Sequence, residues 1–377
     1  MTDITPKTWL AEVCTRLSRR QVVAGLLGMT SVAVLHEADA KKKKKKRKKK
    51  GKPVHPGPGT VQDCPAGQRD CDGQCRDIST NATHCGGCWM SCNANQICDG
   101  GICTVPCSEH ACLKEFFTAS DSSGSGMTLT ADGDIAGLTN GQVTIYSPAG
   151  ALLRAYGEFG DDDGELQNPT DIATGPDGEL LVSDAGNGRI QIISTAGAFT
   201  VIPNQQPTAL DITPGNRLYG VGSLGYRIDR ILSDGQTSYS WGPDGTSQTQ
   251  FAYAQDLAVD AAGDIYVLEF STNKVYRFSD NGSGSITVQW VAGGIGVDPG
   301  EFIYPTALYI ANGRVFVADG NAGAVHVLDA EDGTFLFQFP TTYRSGDSFG
   351  AQDLAANTQG RVFLRSGPHY AVYTLKS

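Results

Sequence analysis

Ten cysteines crowd into a short segment near the amino terminus of this 377-residue chain. They lie within residues 61–112, at Cys64, Cys71, Cys75, Cys85, Cys88, Cys92, Cys98, Cys103, Cys107 and Cys112. Gly, Asn and Asp fill the gaps, so the segment has little apolar material to bury and needs crosslinks. Five disulfides would supply them, although their connectivity cannot be read from spacing. The alternative is zinc bound at four residues with ligand-like spacing, His84, Cys85, Cys88 and Cys92.

Three aspartates recur at one place in a repeated pattern farther along the chain. Asp171, Asp256 and Asp353 each open a short apolar segment that is predicted to form a strand. If these strands line a common channel, carboxylates at one level would attract a hard cation such as calcium. Alternatively, each aspartate caps its own turn or bonds neighbouring backbone amides. The acidic run at residues 161–163 lacks the spaced ligands of a calcium loop and is interpreted as a solvated loop.

Histidines that could support catalysis are scarce beyond the cysteine-rich segment. His326 lies within an alternating strand, which favours a packed or solvent-facing role, and His369 precedes the last strand and could face a rim. Two isolated histidines do not supply a catalytic set. The sequence also contains no nucleophile elbow, phosphate loop or metalloprotease helix.

An internal repeat in residues 113–377 specifies the elements that must position these side chains. Six units begin near Met127, Pro169, Pro207, Gln255, Pro305 and Gln352, at spacings of roughly 38 to 50 residues, the period of a propeller blade. Each unit contains short apolar strands separated by Asn/Asp-Gly-type turns, which are hairpin signals. One four-stranded sheet cannot bury both faces, so the repeat predicts an all-β, six-bladed β-propeller behind a small disulfide-rich module.

The last unit ends in a third strand and lacks a fourth. A spare apolar segment precedes the first unit, at residues 113–119. An open edge beside a packed blade would expose unpaired backbone groups. We therefore expect residues 113–119 to form the outer strand of the last blade, antiparallel to residues 370–376.

The amino terminus has the order of an export signal. In residues 1–40, Arg19-Arg20 precede an apolar stretch, and Ala38-Asp39-Ala40 forms a small-x-small cleavage site. The arginine pair resembles a twin-arginine translocation signal, although Val22 and Val23 replace the usual Phe-Leu pair. We expect export to an extracellular or cell-surface location, with a mature chain that starts near Lys41.

Residues 41–60 form a linker with a dense positive charge. Ten consecutive basic residues run from Lys41 to Lys50, and a Pro/Gly-rich stretch follows. The run is either a solvated spacer or a patch that adheres to anionic lipid or surface polymer. Beyond residue 52 the chain has 15 basic and 36 acidic residues, a balance of −21. A folded part this acidic repels phosphates, so specific nucleic-acid binding is not expected.

Two parts of the chain resemble known families. Residues 61–112 resemble a cysteine-rich repeat of exported bacterial proteins that is akin to plant stigma-specific proteins, through motifs such as Cys71-Asp-Gly-Gln-Cys75 and Cys98-Asp-Gly-Gly-Ile-Cys103. Residues 113–377 resemble the NHL-repeat β-propellers, above all in Val182-Ser-Asp184-Ala-Gly-Asn187-Gly-Arg189-Ile190. The first resemblance implies an extracellular module, and the second implies a fold more than a function.

These features predict an exported binding or scaffold protein whose propeller face binds protein or glycan. No apolar run is long enough to predict a transmembrane segment after processing. The alternative is a propeller enzyme, a lyase or hydrolase acting on a small polar substrate at the central channel. Some NHL-type propellers are such enzymes, and they use several histidines and carboxylates around a metal.

Overall fold

The computed structural model describes short stretches between residues 64 and 104, followed by residues 108–119, 126–341 and 348–376. The predicted export signal (residues 1–40) and linker (residues 41–60) lie outside the described residues. Almost all of the described secondary structure is β-strand, apart from one short 3-10 turn at Ala185–Asn187. In this described part of the chain, no helix has the length and apolar character needed to cross a membrane.

The cysteine-rich segment contains two small antiparallel hairpins. Gln68–Cys71 pairs with Gln74–Asp77, and Ile97–Asp99 pairs with Ile102–Thr104. Strands this short bury little apolar surface, so the segment depends on crosslinks, as its composition indicates.

Disulfides supply at least part of that crosslinking. Cys64 is bonded to Cys75, with their Cα atoms 5.5 Å apart, and Cys112 is disulfide-bonded as well. The predicted disulfide-rich character is therefore confirmed for these three cysteines. Cys85, Cys88, Cys92 and Cys107, with the alternative zinc ligands between residues 84 and 92, lie outside the described residues. The pairing of the other seven cysteines therefore stays a prediction.

The remainder of the chain forms six four-stranded antiparallel sheets, each a blade. Blade 1 contains Met127–Leu129, Ile135–Leu138, Val143–Tyr146 and Leu152–Tyr156; blade 2 contains Asp171–Thr174, Leu180–Asp184, Arg189–Ile193 and Phe199–Pro203. Blade 3 contains Leu210–Ile212, Leu218–Val221, Ile228–Ile231 and Thr237–Trp241; blade 4 contains Ala254–Val259, Ile265–Glu269, Lys274–Asp280 and Ile286–Gly293. Blade 5 contains Pro305–Ala311, Arg314–Asp319, Ala324–Asp329 and Phe335–Pro340; blade 6 contains Asp353–Ala356, Arg361–Ser366, His369–Leu375 and Ala111–Thr118. A short parallel pair, Glu158–Phe159 with Glu165–Leu166, lies in the linker between blades 1 and 2.

The blades close into a ring around a central channel. The first strand of each blade contacts the first strands of both neighbouring blades, all the way around. The apolar core is accordingly divided into six clusters, one between each pair of adjacent blades. The predicted all-β, six-bladed propeller is confirmed.

The ring is closed by a strand from the amino-terminal side. Ala111–Thr118 pairs antiparallel with His369–Leu375 as the outer strand of blade 6, which confirms the predicted closure. The strand begins two residues earlier than expected, because Ala111 and Cys112 are also buried. Phe117 stacks on Tyr370 with ring centroids 4.9 Å apart, so the closing strand is packed as well as paired.

A buried arginine ties the last blade to the first. Arg365 donates to the carbonyl oxygens of Gly126 at 2.7 Å and Leu138 at 2.6 Å. A Cβ on Gly137 would lie 2.2 Å from the Tyr370 hydroxyl, so the two blades approach too closely there for any side chain.

Candidate functional site: channel carboxylates and an aromatic face

The three predicted aspartates lie at one level of the central channel, each at the start of a first strand. Asp171 of blade 2 accepts a hydrogen bond from its own neighbour, Ile172 N, at 2.8 Å, and one from Leu210 N of blade 3 at 2.7 Å. Its carboxylate therefore bridges two adjacent blades. The structure thus places this aspartate in the role of the backbone-bonding alternative.

The other two aspartates repeat this bridge in alternate blades. Asp256 accepts from Leu257 N at 2.8 Å and from Leu308 N of blade 5 at 2.7 Å. Asp353 accepts from Leu354 N at 2.7 Å and from Met127 N of blade 1 at 2.5 Å. Blades 2, 4 and 6 are thereby each fastened to the following blade. We call Asp171, Asp256 and Asp353 the carboxylate belt.

The blades between them have a small residue at the equivalent position. Around the ring the aspartates alternate with Ala209, Ala307 and Gly126, each directly before the residue whose amide is bound. A small side chain leaves room for the carboxylate of the preceding blade. The alternation therefore gives the channel an approximate threefold pattern of carboxyl groups.

A fourth buried carboxylate, that of Asp211, lies farther along the channel, toward the turns that connect the first and second strands. Asp211 of blade 3 accepts from Ile212 N at 2.8 Å and from Val259 N of blade 4 at 2.8 Å. Sequence comparison of the repeats missed it because it lies two residues after the belt position. Its position two residues after Ala209, the blade 3 equivalent of the belt aspartates, is the feature of the sequence that could have identified it.

Burial makes these carboxyl groups weak acids. Burial raises the pKa of Asp171 well above its usual range, and repulsion from Asp256 and Asp353 raises it further. Burial likewise raises the pKa of Asp353, with a contribution from Asp256. It raises the pKa of Asp256 and of Asp211 to about 7 in each case, although the amide hydrogen bonds favour the charged form. Belt groups therefore hold protons near neutral pH.

Cavities open on both sides of the belt. One of about 290 Å³ is lined by the belt, Asp211 and Tyr309 on the side of the first hairpin turns. The other, of about 110 Å³, is lined by the belt and by Gln255 and Gln352 on the side where the chain passes between blades. We call that second side the linker face. Among the described residues, no group of three or more His, Cys, Asp or Glu has a metal-binding arrangement, and the calcium site stays a prediction.

Neither propeller histidine lines these cavities. His326 is buried against Phe302, 5.0 Å between ring centroids, and neither ring nitrogen has a hydrogen-bond partner among the residues that the structure describes. Burial lowers its pKa, while Asp319 at 3.9 Å opposes that shift. His369 Nδ1 lies 2.9 Å from the Thr118 hydroxyl at the closing strand. His326 thus has the expected packed position, and His369 lies at the seam of the ring.

The acidic run at residues 161–163 is exposed, as expected, and it is held by the repeat motif of blade 2. Arg189 donates to Asp184 at 2.8 Å and to the carbonyl oxygen of Asp162 at 2.6 Å. Asn187 donates to Asp184 at 2.8 Å and to the carbonyl oxygen of Gly160 at 2.9 Å. The motif therefore anchors the linker from blade 1.

The linker face carries an aromatic row that the sequence did not reveal. Phe270 makes edge-to-face contacts with Tyr253, 6.1 Å between ring centroids, and with Tyr304 at 4.9 Å. Tyr253 is 42% and Tyr304 45% exposed. The neighbouring loop, which carries exposed Leu224 and Tyr226, is hydrogen-bonded to the Tyr253 segment. We call Leu224, Tyr226, Tyr253, Phe270 and Tyr304 the aromatic arc; it spans loops of blades 3 and 4 and the linker to blade 5.

Comparison with known proteins supports both parts of this architecture. Residues 166–193 match the family model of the NHL repeat. Residues 56–106 match that of the Stigma-specific STIG1-like protein family. A stretch of 160 residues is 26% identical to the protein brain tumor of Drosophila melanogaster, covering 37% of this chain and 15% of that protein. The chain thus matches only a small part of that relative.

Solved structures with this fold include bacterial lyases. Virginiamycin B lyase from Staphylococcus aureus superposes with a TM-score of 0.52 at 13% identity, over 71% of this chain and all of the enzyme. A catalytically inactive variant of it, with quinupristin, gives a TM-score of 0.51 at 13% identity, again over 71% of this chain and all of the enzyme. Likeness at this level shows the propeller fold alone.

Proposed function

We propose that this is an exported extracellular or cell-surface protein that binds a protein partner through the linker face of its propeller. The observation that carries the proposal is the aromatic arc. Exposed aromatic side chains supply large contact areas at low entropic cost and are enriched at protein interfaces. The arc lies on one half of the face, so the partner binds off-centre, over blades 3 to 5.

The disulfide between Cys64 and Cys75 supports export, because such bonds persist in oxidising compartments. The leader at residues 1–40 is consistent with that location. Processing near Lys41 would leave the basic run at the start of the mature chain. There it would add attraction to an anionic surface polymer or lipid while the propeller contacts its partner.

The channel is better suited to holding the ring together than to chemistry. Each belt carboxylate already bonds two backbone amides. The two propeller histidines lie away from the cavities on either side of it. Both placements favour binding over the alternative of a lyase or hydrolase acting at the channel.

The test compares retention of partners by matched variants of the full-length, oxidised protein. Immobilised wild type, a Tyr253→Ser/Tyr304→Ser double variant and a Leu232→Ser variant would be exposed to the organism's own extracellular and envelope fractions. Leu232 is 38% exposed at a turn on the opposite face and is the control. We expect a protein that is retained by wild type and Leu232→Ser and lost from the double variant.

Equal retention by the double variant would overturn the proposed face. Loss of retention after enzymatic deglycosylation of the fraction would assign the ligand as a glycan and overturn protein binding. Amino-terminal sequencing of the exported protein tests export and processing independently of partner binding. An intact Met1 would contradict processing near Lys41.

A further inference from the structure

Three blades fasten the incoming linker with an acidic residue at the end of the second strand. The bonds are Gln167 N to Asp184 at 2.7 Å, Tyr253 N to Glu269 at 2.9 Å and Ile303 N to Asp319 at 2.6 Å. These side chains fill the space between the linker and the blade. They are almost completely buried there.

Blade 3 has Gly222 at this position. Its backbone pairs with Arg227 as Asp184 pairs with Arg189, which establishes the equivalence. The missing side chain leaves a cavity of about 230 Å³, lined by residues that include Gln205, Gln206, Gly222, Ser223, Arg227, Asp229 and Thr237. Since a water molecule takes about 30 Å³ in the liquid, the space would hold roughly seven. We call it the blade 3 pocket.

A largely buried carboxylate lines this pocket and leaves one oxygen open to accept a hydrogen bond from a ligand. Asp229 is only 6% exposed. Its Oδ1 accepts from Arg227 Nε at 2.8 Å and from the Ser240 hydroxyl at 2.5 Å. Its Oδ2 accepts no hydrogen bond from any residue in the described part of the chain, and lies 3.4 Å from where a Cβ on Gly222 would stand. Oδ2 is open to the pocket rather than sealed off from water, so an N–H group of a ligand can bind it in place of a water molecule.

The pocket adjoins the proposed interface. Ser223 in its wall directly precedes Leu224, and Tyr226 follows in the same loop, so pocket and aromatic arc are continuous. The excess of acidic residues beyond residue 52 attracts a basic partner. A guanidinium donates from several N–H groups in a fixed plane. One of them can bind Asp229 Oδ2 while Arg227 keeps its bond to Oδ1, and the amide and hydroxyl oxygens that line the pocket can accept others.

From this geometry we propose that the blade 3 pocket binds an arginine side chain of the partner protein, with Asp229 Oδ2 as the principal acceptor. The inference rests on the proposed function and specifies the partner: an arginine flanked by apolar residues that cover Leu224 and Tyr226. Such an arginine would anchor the partner at one end of the aromatic arc.

The test uses a small probe, so it does not depend on finding the partner. N-acetyl-arginine amide, its lysine counterpart and its uncharged citrulline counterpart would be titrated into the full-length, oxidised protein by NMR or calorimetry. We expect saturable binding of the arginine probe and about tenfold weaker binding of citrulline, because charge-assisted bonds are roughly twice as strong as neutral ones. Binding of the lysine probe as tight as arginine would overturn the assignment of a guanidinium.

Two variants remove the site in different ways. Asp229→Asn deletes the charge, and Gly222→Leu fills the pocket while every charge is kept; a Cβ at residue 222 meets only ordinary contacts. Both variants should bind the arginine probe at least about tenfold more weakly than wild type. Circular dichroism verifies that each variant is folded. Asp132→Asn is the control: its side chain is well exposed on blade 1, and we expect the affinity for the arginine probe to be unchanged. If one variant does not fold, the other decides.

Three results would each overturn the proposed arginine site: citrulline binding as tight as that of arginine, undiminished binding of the arginine probe by a folded Asp229→Asn or Gly222→Leu variant, and no saturable binding. The two proposals fail separately. A partner lost from the Tyr253→Ser/Tyr304→Ser variant but retained by Gly222→Leu refutes the pocket alone. The aromatic face alone is refuted if the Tyr253→Ser/Tyr304→Ser variant keeps its partner while binding of the arginine probe still depends on Asp229.

Discussion

The carboxylate belt and Asp211 predict that the propeller becomes more stable as the pH falls from 8 toward 5. The pKa of Asp256 and of Asp211 is about 7 in the folded protein, whereas an aspartate in the unfolded chain titrates near its ordinary value of about 3.9. The folded state therefore binds more protons between these values. The stabilisation is fully present below the unfolded pKa and is lost as the pH rises through 7.

The size of the effect follows from linkage. Each group that holds a proton only in the folded state changes the free energy of unfolding by about 1.4 kcal/mol per pH unit. Domain stabilities are about 5–15 kcal/mol, so even one such group is visible as a shift in melting temperature. Asp171 and Asp353 add to the slope in the same direction, since burial and repulsion also raise their pKa values.

One buried group acts against this slope. Burial lowers the pKa of His326 below its ordinary 6.5, so the folded state binds fewer protons than the unfolded chain as the pH falls through that range. A neutral His326→Gln variant removes that opposing contribution. It should steepen the gain in stability between pH 7 and pH 5.

The measurement is chemical unfolding at pH 5, 6, 7 and 8 for wild type, Asp256→Asn and Asp132→Asn. Asp256→Asn keeps one acceptor for Leu257 N but presents a donor to Leu308 N, so it should cost about 1–3 kcal/mol at pH 5. Its stability should also depend less on pH, by about one proton, while Asp132→Asn keeps the wild-type slope. Wild-type stability that is flat or rises from pH 5 to pH 8, or an unchanged slope in Asp256→Asn, would refute the assignment of protons to the belt.

Three further predictions concern closure, cysteines and calcium. A chain that starts at Ser120 should be several kcal/mol less stable than a control chain that starts at Glu109 and has Cys112→Ser. The shorter chain loses partly buried Phe116 and Phe117, worth roughly 1.5–3 kcal/mol each if fully buried, and the backbone hydrogen bonds of the closing strand. Equal melting temperatures of the two chains would contradict this. Thiol titration of the unfolded, unreduced exported protein should find almost no free thiol among Cys64 to Cys112, and several free thiols with stoichiometric zinc would reverse this. If the belt binds calcium, millimolar calcium should raise the melting temperature by mass action, and this rise should vanish in Asp256→Asn; no rise in wild type rejects the site.

The ring and its closure could be predicted because they depend on features repeated along the chain. Six copies of a strand pattern and a spare apolar segment before the first copy are visible without any coordinates. The bulge in the closing strand at Lys114, opposite Val372 and Tyr373, was not predictable, since it depends on how two distant segments pack. Arg365 was missed for the same reason, because its acceptors belong to blade 1.

The candidate interface could be predicted less well, because it arises from loops that have no common pattern. Tyr253 and Tyr304 lie in linkers, and Phe270 lies in a hairpin loop. Only the fold brings Tyr253 and Tyr304 against Phe270, with ring centroids 6.1 and 4.9 Å from it. The blade 3 pocket had a weak signal in the sequence: Gly222 stands where aligned repeats have Asp184, Glu269 and Asp319.

The belt also shows why a cation and a proton are competing occupants of the same channel. The amides of Leu210, Leu308 and Met127 stabilise the three carboxylates in place, but they contribute too little to keep these buried groups fully ionised at neutral pH. A calcium ion needs ionised carboxylates as ligands, so it must displace protons that burial and mutual repulsion retain. Any stabilisation by calcium should therefore be larger at pH 8 than at pH 6, opposite in direction to the proton-linked stability of the free propeller. A calcium effect of equal size at both pH values would place the ion elsewhere, on exposed acidic loops such as residues 161–163.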